Sequence, residues 1–161
     1  SEVSISKTEE TEILNEKEFS PKGKSGTVLF CGGSDWEKLG TSKSTENGNL
    51  FQFHKMSFKT RIVSVHCGPL ACHCVVIDDC GDAYSWGKNN MGQCGVGSKS
   101  AVIAKPTKIS PKKKSSFISA SCGKFHTLLL AKGGNVYSFG CGSSGQLGIG
   151  KVLSEKNPAL S

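Results

Sequence analysis

Two stretches of the chain repeat each other at a distance of 53 residues. Residues 81–97 read GDAYSWGKNNMGQCGVG, and residues 134–150 read GNVYSFGCGSSGQLGIG. Both contain a turn, a short aromatic strand and a glycine-rich turn, in that order. A fixed period of this size indicates a repeat architecture in which each unit packs on its neighbours. A residue type that recurs at equivalent places in both repeats is therefore expected to serve the scaffold.

A degenerate third copy lies near residues 28–40. Its Val28, Gly32, Leu39 and Gly40 lie 55 residues before their counterparts in the first clear repeat. The apolar run at its start predicts a buried strand. We expect this strand to close a ring against a last blade.

Short apolar or alternating runs predict strands throughout the repeats, and Gly-Asp and Gly-Asn pairs open two of them. The predicted strands cover residues 27–31, 61–65, 73–77, 83–86, 126–131 and 136–139. Residues 41–48 and 99–116 are polar and predict connecting loops. The predicted organisation is a disordered polar tail (1–25), a degenerate half-repeat with a connector (26–65), a first repeat with a basic inter-blade loop (66–117) and an incomplete second repeat (118–161).

Short predicted strands separated by glycine-rich turns, repeated at this period, predict an all-β fold, a partial β-propeller of about two blades plus the half-repeat. A closed propeller needs at least about four blades. The chain is therefore expected to be part of a larger ring or to gain partners.

Charge and composition narrow the functional classes. Lys and Arg number 20 against 13 Asp and Glu, so the formal charge of +7 favours acidic partners. No apolar run approaches the roughly 20 residues that span a bilayer, so we expect no membrane insertion. The eight cysteines accompany no secretory signal and are expected to be reduced and intracellular.

The repeat ladder resembles a known family. Residues 122–130 (CGKFHTLLL), 134–140 and 145–150 are similar to the repeat of the regulator-of-chromosome-condensation family. Residues 28–40 and the element CGPLACH at 67–73 resemble one branch of it, the telophase-disc paralogue or second regulator. The resemblance implies a seven-bladed propeller of which only the start is present, with the remaining blades on the full-length chain. One departure is Cys94, where the family's Gly-Gln-Leu-Gly turn has leucine.

The resemblance also implies a function. Family members act as binding platforms, and this branch suggests a non-enzymatic module that binds a small GTPase and chromatin, microtubules or other acidic partners in mitosis. The implied locations are the nucleus and cytoplasm, and mitotic chromosomes or the spindle midzone. Two alternatives stay open: a guanine-nucleotide exchange factor, which needs no catalytic triad, and a purely structural repeat segment.

Repeated positions are predicted to be structural. His73 and His126 are equivalent, which favours a hydrogen bond in each blade over catalysis. The same reasoning covers the other repeat glycines, glutamines and aromatic residues. The full set is Gly68, His73, Trp86, Gly87, Gly92, Gln93, Gly95, Gly123, His126, Phe139, Gly140, Gly145, Gln146 and Gly148.

Two phosphate-binding patterns are rejected. Residues 140–145 match G-x-G-x-x-G, but the following residues are poor helix material and Asn89 replaces Gly142 in the first repeat. A tight turn is the better interpretation. Gly23-Lys24-Ser25 lacks the earlier glycine and the preceding strand of a phosphate-binding loop. No cofactor is predicted.

Metal and catalytic sites are also weakly indicated. Cys67, Cys72, Cys74 and Cys80 cluster near His66 and His73, but their spacing does not bring four ligands together, and small buried thiols are the preferred interpretation. Asp78 and Asp79 are expected to be solvated. No metal site and no catalytic residue is predicted.

Residues 110–114 form the most suggestive motif outside the repeat. Lys112, Lys113 and Lys114 lie in a predicted inter-blade loop, where they would contact phosphates or act in nuclear import. Ser110, followed by proline and lysine, is a candidate phosphosite whose phosphate would weaken binding to an acidic partner. The alternative is an ordinary solvated loop.

Overall fold

The computed structural model describes residues 27–33, 49–98, 100–111 and 115–150. Within these ranges nine strands form three antiparallel sheets, in the order β1-β2, β3-β4-β5-β6 and β7-β8-β9. The strands are β1 (Leu29–Gly33), β2 (Asn49–Lys55), β3 (Ile62–His66), β4 (His73–Asp78), β5 (Ala83–Lys88), β6 (Val102–Lys108), β7 (Phe117–Cys122), β8 (His126–Ala131) and β9 (Val136–Gly140). The described ranges contain no helix, and so none that is long and apolar enough to cross a membrane.

The central strand β4 shows why the sheets stack. We call the four-stranded sheet β3-β4-β5-β6 the first sheet and the three-stranded sheet β7-β8-β9 the second sheet. Alternate side chains of a strand point to opposite faces. Val75 and Ile77 therefore join a core cluster with residues of the second sheet, including Leu129 and Phe139. Val76, on the other face, belongs to a second cluster against which Phe30, Met56 and Phe58 pack. The four-stranded sheet thus lies between the β1-β2 pair and the second sheet, the arrangement expected of consecutive propeller blades.

Three strands were absent from the prediction: β2, β6 and β7. The predicted loop at 99–116 contains β6, which pairs antiparallel with β5. The register shifts from Ser85↔Thr107 to Gly87↔Ile103, so residues 104–106 form a bulge that accommodates Pro106. Ile103 is the only buried side chain of β6, which is why hydrophobic periodicity did not reveal an edge strand.

The degenerate copy does begin with a strand, but the strand is not buried as predicted: Leu29 is 51% exposed and Phe30 is half-buried. β1 pairs with β2, from Leu29↔Lys55 to Gly33↔Asn49. Its closure of a ring against a last blade stays a prediction. The predicted tail at 1–25, the remainder of the degenerate copy at 34–40 and the end of the second repeat at 151–161 lie outside the described residues.

Candidate interaction surface

The loops lie at the two opposite ends of the strands, because successive connections of an antiparallel meander alternate between those ends. We call these two ends of the stacked sheets their edges. The first, which we call the histidine edge, contains the described residues of 67–72, 89–101, 123–125 and 141–150. The second, the turn edge, contains those of 79–82, 109–116 and 132–135. All predicted repeat positions except Trp86 and Phe139 lie at or beside the histidine edge.

A chain of hydrogen bonds at the histidine edge joins the first sheet to the second. His73 Nε2 lies 2.6 Å from Thr127 Oγ1, and this hydroxyl donates to the carbonyl oxygen of Gln93 at 2.8 Å. The single hydroxyl hydrogen is thereby used, so His73 donates from Nε2 and is the neutral Nε2–H tautomer. All three residues are fully buried.

The surroundings of His73 oppose its protonation. Burial, with a smaller contribution from nearby His126, lowers the pKa of His73 to about 4. Its Nδ1 is buried without a hydrogen-bond partner. A proton placed there would create an unsatisfied buried donor. His73 is therefore suited to fixing the seam between sheets at neutral pH.

Glycines allow the backbone of neighbouring segments to approach closely. At Gly140 φ is +103°, and an added Cβ would lie 2.4 Å from the carbonyl oxygen of Phe125. At Gly68 an added Cβ would lie 1.9 Å from the carbonyl oxygen of Cys122 in the second sheet. Any side chain at these two positions would push segments apart.

The two repeat glutamines make the same contact. Gln93 Oε1 accepts from the backbone N–H of Met91 at 2.9 Å, and Gln146 Oε1 accepts from that of Ser144 at 2.8 Å. The segment that resembles a dinucleotide fingerprint forms successive turns, with the N–H of Gly145 donating to the carbonyl of Gly142. No helix follows among the residues described up to 150.

A basic-aromatic patch, formed by Lys88, Lys124 and Phe125, spans the seam. The ammonium groups of Lys88 and Lys124 lie 5.9 Å and 5.0 Å from the centroid of the Phe125 ring, within cation–π range. Lys88 ends β5 of the first sheet, and the other two residues precede β8 of the second. Leu70, at the same edge, is 71% exposed. Sequence reasoning missed this patch, although its members adjoin Gly87 and His126.

The turn edge holds Ser110 and a correction concerning Asp78. Asp78 was expected to be solvated but is only 1% exposed. Its Oδ1 accepts from the backbone N–H groups of Cys80 and Asp82 at 3.0 Å and 2.8 Å, because the carboxylate caps the turn between β4 and β5. Asp79 and Ser110 are exposed. The predicted lysines 112–114 lie outside the described residues.

The cysteine cluster divides into separate groups, and the expectation of small buried thiols is wrong for it, since Cys67, Cys72 and Cys80 are exposed and Cys74 is only partly buried. Cys67 Sγ and Cys74 Sγ lie 3.1 Å apart, whereas Cys80 lies at the opposite edge. Asp78, Asp79 and Cys80 each offer one ligand atom within 4.8 Å of the others. The Oδ1 atom of Asp78 already accepts two backbone hydrogen bonds, so this cluster is explained by the turn.

Comparison with known proteins identifies the repeats. The regulator of chromosome condensation (RCC1) repeat matches residues 81–130 and 133–160, and a second form of it matches 117–146. The chain is 33% identical over 145 residues to the RCC2 homolog of Xenopus laevis, covering 83% of this chain and 28% of that protein. It is 42% identical over 120 residues to the human X-linked retinitis pigmentosa GTPase regulator, covering 74% and 11%.

A solved structure supports the architecture. Prp20p from Saccharomyces cerevisiae matches with a TM-score of 0.58 at 22% identity, covering 69% of this chain and 28% of Prp20p. The predicted all-β, partial propeller fold is confirmed, as is the predicted similarity to the second regulator. The chain spans about a quarter of the length of these RCC2 relatives. With its repeats, its relatives and its fold in agreement, residues 81–160 of this chain are repeats of the regulator-of-chromosome-condensation family.

Proposed function

We propose that this chain is a non-enzymatic interaction platform whose histidine edge binds a small GTPase. The observation that carries the proposal is the basic-aromatic patch, which two consecutive repeats build together. The repeat residues around it, His73 and Gln93, are committed to buried hydrogen bonds. Of the two lysines beside them, Lys124 is exposed and Lys88 is half-buried, and we propose that an acidic partner binds their ammonium groups.

Two relatives support a GTPase as the partner. The human relative is by name a GTPase regulator. Prp20p is a protein whose binding to Gsp1p and histones was studied together with its structure. These properties belong to those proteins, and their transfer to this chain is the proposal to be tested.

The turn edge supplies a second proposed contact. Lys112, Lys113 and Lys114 bind chromatin, microtubules or another acidic partner, and a phosphate on Ser110 weakens that binding. The described ends of this loop are anchored, since Ile109 N–H donates to Ala83 O at 2.8 Å and Phe117 N–H to Gly81 O at 2.7 Å. This contact accounts for the proposed presence on mitotic chromosomes or the spindle midzone and in the nucleus and cytoplasm.

A pulldown with nucleotide-free and GTP-loaded small GTPases, combined with a nucleotide-release assay, tests the proposal. Binding without faster release supports the platform. Faster release supports an exchange factor instead. If the chain neither binds a GTPase nor speeds nucleotide release, the purely structural repeat segment is supported. Changing Lys88 and Lys124 to Gln should weaken binding about tenfold, equivalent to about 1.4 kcal/mol.

The matched control changes Lys55 and Lys105, on β2 and β6, to Gln. It removes the same charge and should leave the affinity within twofold, because surface charges away from a contact contribute little. Equal losses for the two double variants would show that net charge, rather than the patch, governs binding.

The second contact has its own test. Changing Lys112–Lys114 to Gln should reduce chromatin association while GTPase binding persists. Unchanged chromatin association would refute the second contact.

A further inference from the structure

Two thiols face each other across the first sheet. β3 and β4 pair Val65 with Val76 and His66 with Val75. One residue further, this register sets Cys67 opposite Cys74, and their sulfur atoms share a hydrogen bond at 3.1 Å. Directly opposite residues in antiparallel strands have Cα atoms about 4.5–5.5 Å apart, which lies within the range that a disulfide spans.

The second sheet lacks this pair. Its corresponding cross-strand pair is Cys122↔Thr127, one thiol and one hydroxyl. Thr127 uses that hydroxyl in the seam with His73. A pair that served only the repeat scaffold would be expected in both sheets, so the two facing thiols call for a role specific to the first.

We propose that Cys67 and Cys74 form a reversible redox pair, in which hydrogen peroxide oxidises Cys67 and Cys74 then closes a disulfide between β3 and β4. Exposure assigns the roles: Cys67 is exposed to solvent, whereas Cys74 is partly buried beside it.

The acidities of the two thiols agree with these roles. The hydrogen bond between the two sulfur atoms lowers the pKa of Cys67, which favours its thiolate, the reactive form. The hydrogen bond to Cys67, together with burial, raises the pKa of Cys74. Exposed Cys80 differs, because Asp78 and Asp79 raise its pKa. A low-pKa, accessible thiol next to a resolving cysteine is typical of redox sensors.

The reaction balances in two steps. The Cys67 thiolate attacks one peroxide oxygen, the O–O bond breaks, and hydroxide leaves and takes up a proton to become water. Cys74 then loses its proton, its sulfur attacks the sulfenic sulfur of Cys67, and a second water departs. Two thiols have lost two electrons and two protons, and peroxide has become two waters. A dithiol reductant reverses the bond by thiol–disulfide exchange.

The disulfide would close the loop that contacts the next sheet. Between the two cysteines lie Gly68, against the carbonyl of Cys122, and His73, bonded to Thr127. Oxidation therefore restrains the segment that builds one side of the seam at the histidine edge.

Peptide mapping after mild peroxide treatment of the whole chain tests the proposal. The oxidised chain should lose two of its eight free thiols and regain them with dithiothreitol. Trypsin releases residues 62–88 as one peptide with Cys67, Cys72, Cys74 and Cys80. A Cys67–Cys74 ring suppresses fragment ions from cleavage between those two residues, whereas a Cys67–Cys72 ring still allows cleavage after Cys72.

Variants separate the two roles. In Cys74→Ser, dimedone should trap a sulfenic acid on Cys67 that the unaltered chain does not accumulate. Cys67→Ser should lose both the disulfide and the labelling. Cys72→Ser and Cys80→Ser are the matched controls and should oxidise as the unaltered chain does.

Three outcomes would overturn the proposal: a disulfide through any other cysteine, links between separate chains, or retention of all thiols under conditions that oxidise glutathione. If a serine variant fails to fold, as judged by circular dichroism, the mapping of the unaltered chain alone decides.

Discussion

Removing one hydroxyl group, by Thr127→Val, should weaken the contact between the two repeat sheets. The substitution keeps the β-branched shape but leaves two buried groups unpaired, the Nε2–H of His73 and the carbonyl oxygen of Gln93. Each unsatisfied buried group costs about 1–3 kcal/mol, and we expect a total near 3 kcal/mol because the carbonyl can recover part of its loss. With a urea m value of about 2–3 kcal/mol/M, the unfolding midpoint should fall by about 1 M or more.

Two controls define the outcome. Thr107 is exposed, and its hydroxyl bonds only the carbonyl of Lys105 at 2.9 Å. Thr107→Val should therefore change the free energy of unfolding by less than about 0.5 kcal/mol. Thr127→Ser retains the hydroxyl and should keep most of the stability. If Thr127→Val destabilises no more than Thr107→Val, or Thr127→Ser loses as much as Thr127→Val, the hydrogen-bond chain is not what holds the seam.

Two further predictions concern the same edge. The pKa of His73 is about 4 in the folded chain and about 6.5 in the unfolded chain, so the unfolded chain binds more protons between these pH values. The free energy of unfolding should therefore decrease as the pH is lowered from about 6.5 to 4. Between pH 7 and pH 5 this histidine should lower the free energy of unfolding by about 2 kcal/mol. Urea titrations at both pH values should show this loss in the unaltered chain and a smaller loss in His73→Gln. An equal loss in the two chains would contradict the assignment. Gly140→Ala should cost more than about 3 kcal/mol, since positive φ and a 2.4 Å approach to backbone oxygen act together, whereas Gly145→Ala, with φ +76° and open space, should cost about 1–2 kcal/mol. Thermal melts of the two variants compare them, and similar melting temperatures would show that the close approach is relieved without cost.

The sequence reveals the strands whose side chains are buried. β4 and β8 carry continuous or alternating apolar residues, and both were predicted almost to the residue. β6 carries two lysines and a proline, and its place depends on backbone hydrogen bonds to β5. Such bonds leave little trace in side-chain periodicity, so an edge strand in a polar segment resembles a loop.

The candidate sites show a similar division. The repeat indicates that His73 is structural, but its partner Thr127 is 54 residues away and is found only once the sheets are stacked. The cysteine spacing argues against a four-ligand metal site, yet it does not show that Cys67 faces Cys74. That fact follows from strand register, in which a shift of one residue would turn one thiol to the other side of the sheet.

The clamped position of Thr127 bears on how the chain unfolds. In stacked repeats the stability is approximately the intrinsic term of each unit plus a coupling between neighbours. Thr127, in the second sheet, is bonded on both sides by groups of the first, a ring nitrogen and a turn carbonyl. Neither sheet can open locally at this point without breaking bonds of the other, so amide protons of β4 and β8 should exchange with one common opening free energy. A single hydroxyl would then set whether the two repeats melt in one transition or in two.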